Sequence, residues 1–167
     1  MSALFNLFGR LWLLRANPQD LPASRVLTRI LIGLYFISSI LSVIIQIRLL
    51  PAIGASVVDL ILLLTLVYGL LLVAKVPERV YQTLTAILST SILLAIGSTL
   101  VTLFGAAEIR SSLLLLLLAW YMVVFGHVLR QAVDMPVLLG ALIALLYLMA
   151  SAGLTSYLFF PSQAASG

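Results

Sequence analysis

Residues 80–129 read VYQTLTAILSTSILLAIGSTLVTLFGAAEIRSSLLLLLLAWYMVVFGHVL. Two apolar runs, 80–104 and 112–129, are joined by a short link that holds the only charges of the stretch, Glu108 and Arg110. A helix rises about 1.5 Å per residue, so about 20 apolar residues cross about 30 Å of hydrocarbon. Both runs are of that order. Their apolar residues are continuous and do not alternate, which argues against the strands of a membrane barrel.

Working outward, three further runs have the same character, at 26–47, 57–74 and 136–160. Turn chemistry separates the five: Pro51 with Gly54, Pro77, Gly105 and Pro136. Pro136 suits the first turn of the last helix, where a missing N–H does no harm. The composition agrees. Apolar residues make up 63% of the 167 and charged residues 8%, whereas soluble domains have about 45–50% and about 25%. Mean hydropathy is +1.27. The expected fold class is all-α, a polytopic transmembrane bundle of five spans preceded by an N-terminal amphipathic helix lying in the membrane interface. The expected division is 1–24 for that helix and a proline-containing connector, 25–160 for the five-span domain, and 161–167 for a short tail.

The interfacial helix is read from residues 2–15, SALFNLFGRLWLLR. At helical spacing Leu4, Phe5, Phe8, Leu11 and Trp12 share one side, with Asn6, Gly9 and Arg10 on the other. The segment is too short to span, and its Trp and Phe side chains suit headgroup depth. Pro18 and Pro22 then turn the chain, and Asp20 or Ser24 can cap the next helix.

Charge placement sets the orientation. With five spans, Arg10, Arg15, Arg25, Arg29, Lys75, Arg79 and Arg130 fall on one side, against three acids. Arg48 and Arg110 fall on the other, against two. The basic side belongs in the cytoplasm. The chain is therefore expected to be integral to a membrane, of the bacterial inner-membrane type, with the N-terminus inside and the C-terminus outside. The inner face should attract anionic lipid headgroups. Trp12, Arg10, Arg15, Lys75, Arg79, His127 and Arg130 are the candidates for facing lipid or a partner, which would be another membrane protein or a second copy. Isolated basic residues between apolar runs form no nucleic-acid patch.

Small residues mark helix seams, because helices in lipid associate through close backbone approach and weak hydrogen bonds. The candidates are Ser38 and Ser42 in the first span, Thr83, Thr90 and Gly97 in the third, and Gly140 and Ala144 in the last, with Ser151 further along that face. The competing reading is a polar path along the third span, through Thr90 and Ser91.

Catalytic constellations are sparse. His127, Arg130, Gln131 and Asp134 share one helix face if the helix continues that far, and a His beside an acid can relay a proton. Asp59, placed at the outer start of the second span, can pair with Arg48 or Arg110 and fix helix ends. The 75–79 loop, KVPER, can act as a docking handle. No phosphate-binding loop, dinucleotide fingerprint or nucleophile elbow occurs. With no cysteine and a single histidine, thiolate and His-rich metal sites are excluded, and no cofactor is expected.

The segment Arg15-Ala16-Asn17-Pro18-Gln19-Asp20-Leu21-Pro22, followed by five closely spaced spans with short loops, resembles the YIP-domain group. These are five-pass membrane proteins related to Ypt/Rab-interacting factors, with small bacterial members. The resemblance implies a helical membrane bundle without catalysis, an adaptor or shaping factor. The function expected from the sequence is thus a non-enzymatic scaffold, adaptor or accessory subunit of a membrane complex. The alternative is a small transporter or channel subunit with a polar path along the third span and Asp59 at its mouth. A third class, a lipid-acting enzyme, would use His127 with Asp134.

Overall fold

A computed structural model describes residues 21–45 and 48–159. The expected interfacial helix, with Arg10, Trp12 and Arg15, and the tail at 161–167 lie outside the described residues. Within them the chain is helical without strands. Helix α1 spans Arg25–Ile44, α2 Leu49–Val73, α3 Val80–Phe104, α4 Ala107–Val133 and α5 Val137–Phe159. A single 3-10 turn, Pro77–Arg79, lies between α2 and α3. All five helices are long and apolar enough to cross a membrane, and the chain is an integral membrane protein.

Local chemistry explains the ends. Ser24 caps α1, its Oγ accepting from the Leu27 N–H at 3.3 Å. Lys75 and Asp134 adopt φ of 60° and 54°, and these left-handed residues end α2 and α4. Asp134 thereby leaves the helix that carries His127.

Two helix starts correct the sequence reading: α4 begins at Ala107, not at 112, so Glu108 and Arg110 lie in its first turns and not in a loop. The second span starts at Leu49, not at 57, and Pro51 lies inside it. Pro51 is the third helical residue, and the first turn of a helix has no intrahelical partner for its N–H groups, so a proline there costs no hydrogen bond. Asp59 consequently moves from the expected rim to ten residues inside the helix.

Successive helices alternate in direction, and side chains tie the junctions together. The Gln82 Nε2 donates to the Leu21 carbonyl at 3.2 Å. Arg25 lies over the Tyr81 ring at 5.5 Å. The Arg79 guanidinium donates to the Ala132 carbonyl at 2.9 Å, satisfying the end of α4, where a cation also suits the helix dipole. These contacts gather Arg25, Arg79 and the end of α4 at one end of the bundle, here the basic end. Arg48, Glu108 and Arg110 lie at the opposite end.

Packing divides along the same axis. The fully buried large side chains Leu63, Val67, Leu71, Ile87, Leu88, Phe125, Val128 and Leu129 belong to the half nearer the basic end. In that half α4 and α5 cross backbone to backbone. A Cβ on Gly140 would lie 2.8 Å from the Gly126 Cα, and one on Gly126 would lie 2.6 Å from the Val137 carbonyl oxygen. Glycine is required at both positions, and Ala144, one turn on, is fully buried. Beyond mid-height, α3 and α4 bury no residue at all. Leu100, Phe104, Leu115 and Leu116 are exposed there, as lipid-facing residues of a spanning bundle are.

Candidate functional site

Among the described residues Asp59 is the only carboxylate beyond the first turn of a long helix; Glu108 stands in the first turn of α4. Tyr35 lies ten residues into α1, Asp59 ten into α2 and Tyr147 ten into α5. That is about 15 Å along each helix, half of a hydrocarbon core of about 30 Å. The three meet near the middle of the helices' length.

Their hydrogen bonds converge on the carboxylate. Tyr35 Oη donates to Asp59 Oδ2. Tyr147 Oη and Ser151 Oγ both donate to Oδ1, each at 2.6 Å. Ser151 follows Tyr147 by one turn of α5, so one helix face presents both. Three helices thus supply one carboxylate and three hydroxyl donors. An ionised carboxylate has about four acceptor positions on its two oxygens, which leaves one on Oδ2. No cationic side chain among the described residues pairs with Asp59. The expected partners Arg48 and Arg110 belong to the far end of the bundle, and Arg110 instead donates to the Gly105 carbonyl at 3.0 Å. The pairing expected for Asp59 at a rim is therefore corrected, and the cause is the helical first turn around Pro51.

Asp59 lines a cavity of about 180 Å³ with Tyr35, Ser39, Ser42, Ser91, Ser98, Tyr121 and Tyr147. Leu94, Ala95 and Leu148 complete its wall. Ser39 and Ser42 lie beyond Tyr35 along α1, and Ala95 and Ser98 lie beyond Ser91 along α3. The cavity therefore runs from the middle of the helices away from the basic end. On the other side Phe125 stacks on Tyr147, with ring centroids 6.2 Å apart, and meets Tyr121 edge-on at 5.7 Å. These rings and the leucines beneath them close the floor.

The sequence candidates fall in several places. Ser42 and Ser91 line the cavity, whereas Ser38 lines a separate apolar cleft between α1 and α3. Thr83 and Thr90 are buried, and their hydroxyls donate to the carbonyls of Arg79, in the turn that precedes α3, and of Ala86, on α3 itself. A Cβ on Gly97 would make ordinary contact with Leu117 at 3.6 Å. Arg130, Gln131 and Asp134 line a cavity of about 430 Å³ at the basic end with Met135 and Pro136, and His127 is not part of it. The His127 Nε2 is buried without a hydrogen-bond partner, and no hydrogen bond joins His127 to Asp134. Lys75 is exposed, but Arg79 turns into the bundle.

Tyr35, Tyr121 and Tyr147 were not singled out from the sequence. A signal existed for one of them, since Tyr147 and Ser151 continue the Gly140–Ala144 face at helical spacing. Among the described residues no group of three His, Asp or Glu side chains could hold a metal ion.

Compared with known protein families, with curated proteins and with solved structures, the chain gives no match.

Proposed function

We propose that this protein binds a small monovalent cation within the bilayer and moves it, as a compact transporter or as the subunit of one. One observation carries the reading. Asp59 lies near the middle of its span, lines a cavity, and has hydroxyl donors but, among the described residues, no cationic partner. A charge at the bilayer centre is costly and occurs where an ion or solute route needs it. A single carboxylate matches a single positive charge, which favours a monovalent ligand. On this reading the polar path runs through the cavity lined by all five helices, with Asp59 at its bottom, instead of along the third span through Thr90.

The proposed setting is a bacterial inner membrane with the basic end in the cytoplasm, supported by the distribution of Lys and Arg. The cavity then faces outward. The scaffold or accessory role remains a second reading, favoured by exposed Lys75 and Arg130 at the basic end. Both side chains are placed to meet anionic headgroups or a partner. The likeness to the YIP-domain group belongs with this second reading.

Flux through liposomes carrying the full-length protein tests the leading proposal. Uptake of sodium, rubidium and methylammonium is followed with isotopes under an imposed gradient. At least one should enter faster than in empty liposomes, and Asp59→Asn should return that rate to background. Rates equal to empty liposomes for all three ions would contradict transport.

A further inference from the structure

The cavity wall has a chemical polarity that follows from counting hydroxyl protons. Tyr35 and Tyr147 spend theirs on Asp59. Ser42 donates to the carbonyls of Ser38 and Ser39 at 3.1 and 3.0 Å. Ser98 donates to the Ala95 carbonyl at 3.0 Å. Ser39 donates to Ser56 Oγ at 3.0 Å. Ser91 donates to the Ile87 carbonyl at 2.9 Å, so the 3.0 Å contact between Ser91 and Tyr121 is a donation from the tyrosine. Every hydroxyl lining the cavity has an acceptor within the protein for its one proton. A hydroxyl retains acceptor capacity after donating, so lone pairs and no protons are offered to an occupant.

A wall of this kind accepts hydrogen bonds and gives none. It repels anions and leaves a carbonyl or ether oxygen without a donor. The occupant must bring N–H or O–H donors, and the Asp59 carboxylate asks for a positive charge with them. The remaining wall is carbon: Leu94, Ala95, Leu148 and the rings of three tyrosines. Apolar walls add nothing for a bare alkali ion, whereas they suit an alkyl group, and tyrosine rings attract an organic cation. A volume of about 180 Å³ is below the several hundred cubic ångströms of drug-sized pockets, so the occupant has only a few heavy atoms.

We infer that the cavity binds a small protonated primary amine, its ammonium group donating to Asp59 and the spent serine and tyrosine oxygens, its short carbon chain against Leu94, Ala95 and Leu148. This inference rests on the cation-binding reading and names the class of cation.

Calorimetric titration of the detergent-purified full-length chain tests it, with n-propylammonium chloride as probe and sodium and tetramethylammonium chlorides as comparison ions. Propylammonium should bind at least about tenfold more tightly than either, the effect of one charge-assisted hydrogen bond. Asp59→Asn should remove that binding. Ala95→Phe fills the cavity while leaving Asp59 and its three donors in place, and it should remove binding too, in a protein that melts like the parent. Tetramethylammonium has no N–H, so its binding as tightly as propylammonium would overturn the inference, as would unchanged propylammonium binding in Ala95→Phe. A sodium isotherm that depends on Asp59, with none for propylammonium, would overturn the amine and leave the cation reading standing. No Asp59-dependent binding of any of the three would overturn both.

Discussion

The two halves of the bundle are built differently. Toward the basic end, α2, α3 and α4 fill the centre with Leu63, Val67, Leu71, Leu88, Phe125 and Leu129, all essentially inaccessible. Glycines bring α4 and α5 into backbone contact there. Toward the other end the centre holds serines and a cavity, and α3 and α4 bury nothing. The mean composition of the helices hides this contrast, since both halves are rich in leucine. What differs is the size and polarity of the residues turned inward. On the transport proposal, the packed half is the barrier and the open half a vestibule that ends on Asp59 and its tyrosines.

The contrast can be broken from either side. Phe125→Ala, in the packed half, should give the largest loss of stability, about 3 kcal/mol. That is the low end for truncating a buried phenylalanine, because in lipid the lost packing counts while transfer from water does not. Unfolding by added sodium dodecyl sulfate in mixed micelles reads it, and an unchanged midpoint would show that the barrier is not packed as described. Ser91→Ala, at the boundary between the halves, should cost about 1 kcal/mol, since the Tyr121 hydroxyl loses its acceptor in a buried site. Leu116→Ala, on the lipid side of the open half, should stay within about 0.5 kcal/mol of the parent. A loss there as large as in Phe125→Ala would mean that the open half is packed against something.

Much of the architecture was legible in the residues. Long apolar runs demand helices because the bilayer offers no partner for an exposed backbone, and the proline- and glycine-marked breaks separate them. The site was less legible, for a specific reason. Pro51 reads as a break, yet within a first helical turn it is tolerated, and eight residues of helix were hidden behind it. That displacement turned Asp59 from a rim acid into one near the middle of its span. The tyrosines were silent for a different reason. A tyrosine in a span is ordinary, often at an interface, and only the meeting of three helices at equal depth shows which ones share a carboxylate. Ser42 and Ser91 stand out as small polar residues at helical spacing, but the sequence does not say whether such a residue seals a seam or lines a cavity.

The most direct test of the proposal that the Asp59 cavity opens only toward the end carrying Arg48 and Arg110 uses the absence of cysteine from the chain. Single substitutions Ser98→Cys in the vestibule and Val67→Cys in the packed half are exposed to a charged, membrane-impermeant thiol reagent. Sealed vesicles of known and opposite orientation present each end of the bundle in turn. The account predicts that Ser98→Cys reacts from the end carrying Arg48 and Arg110 and from that end alone, while Val67→Cys reacts from neither. Reaction of Val67→Cys from the basic end, with Ser98→Cys protected on both sides, would contradict it.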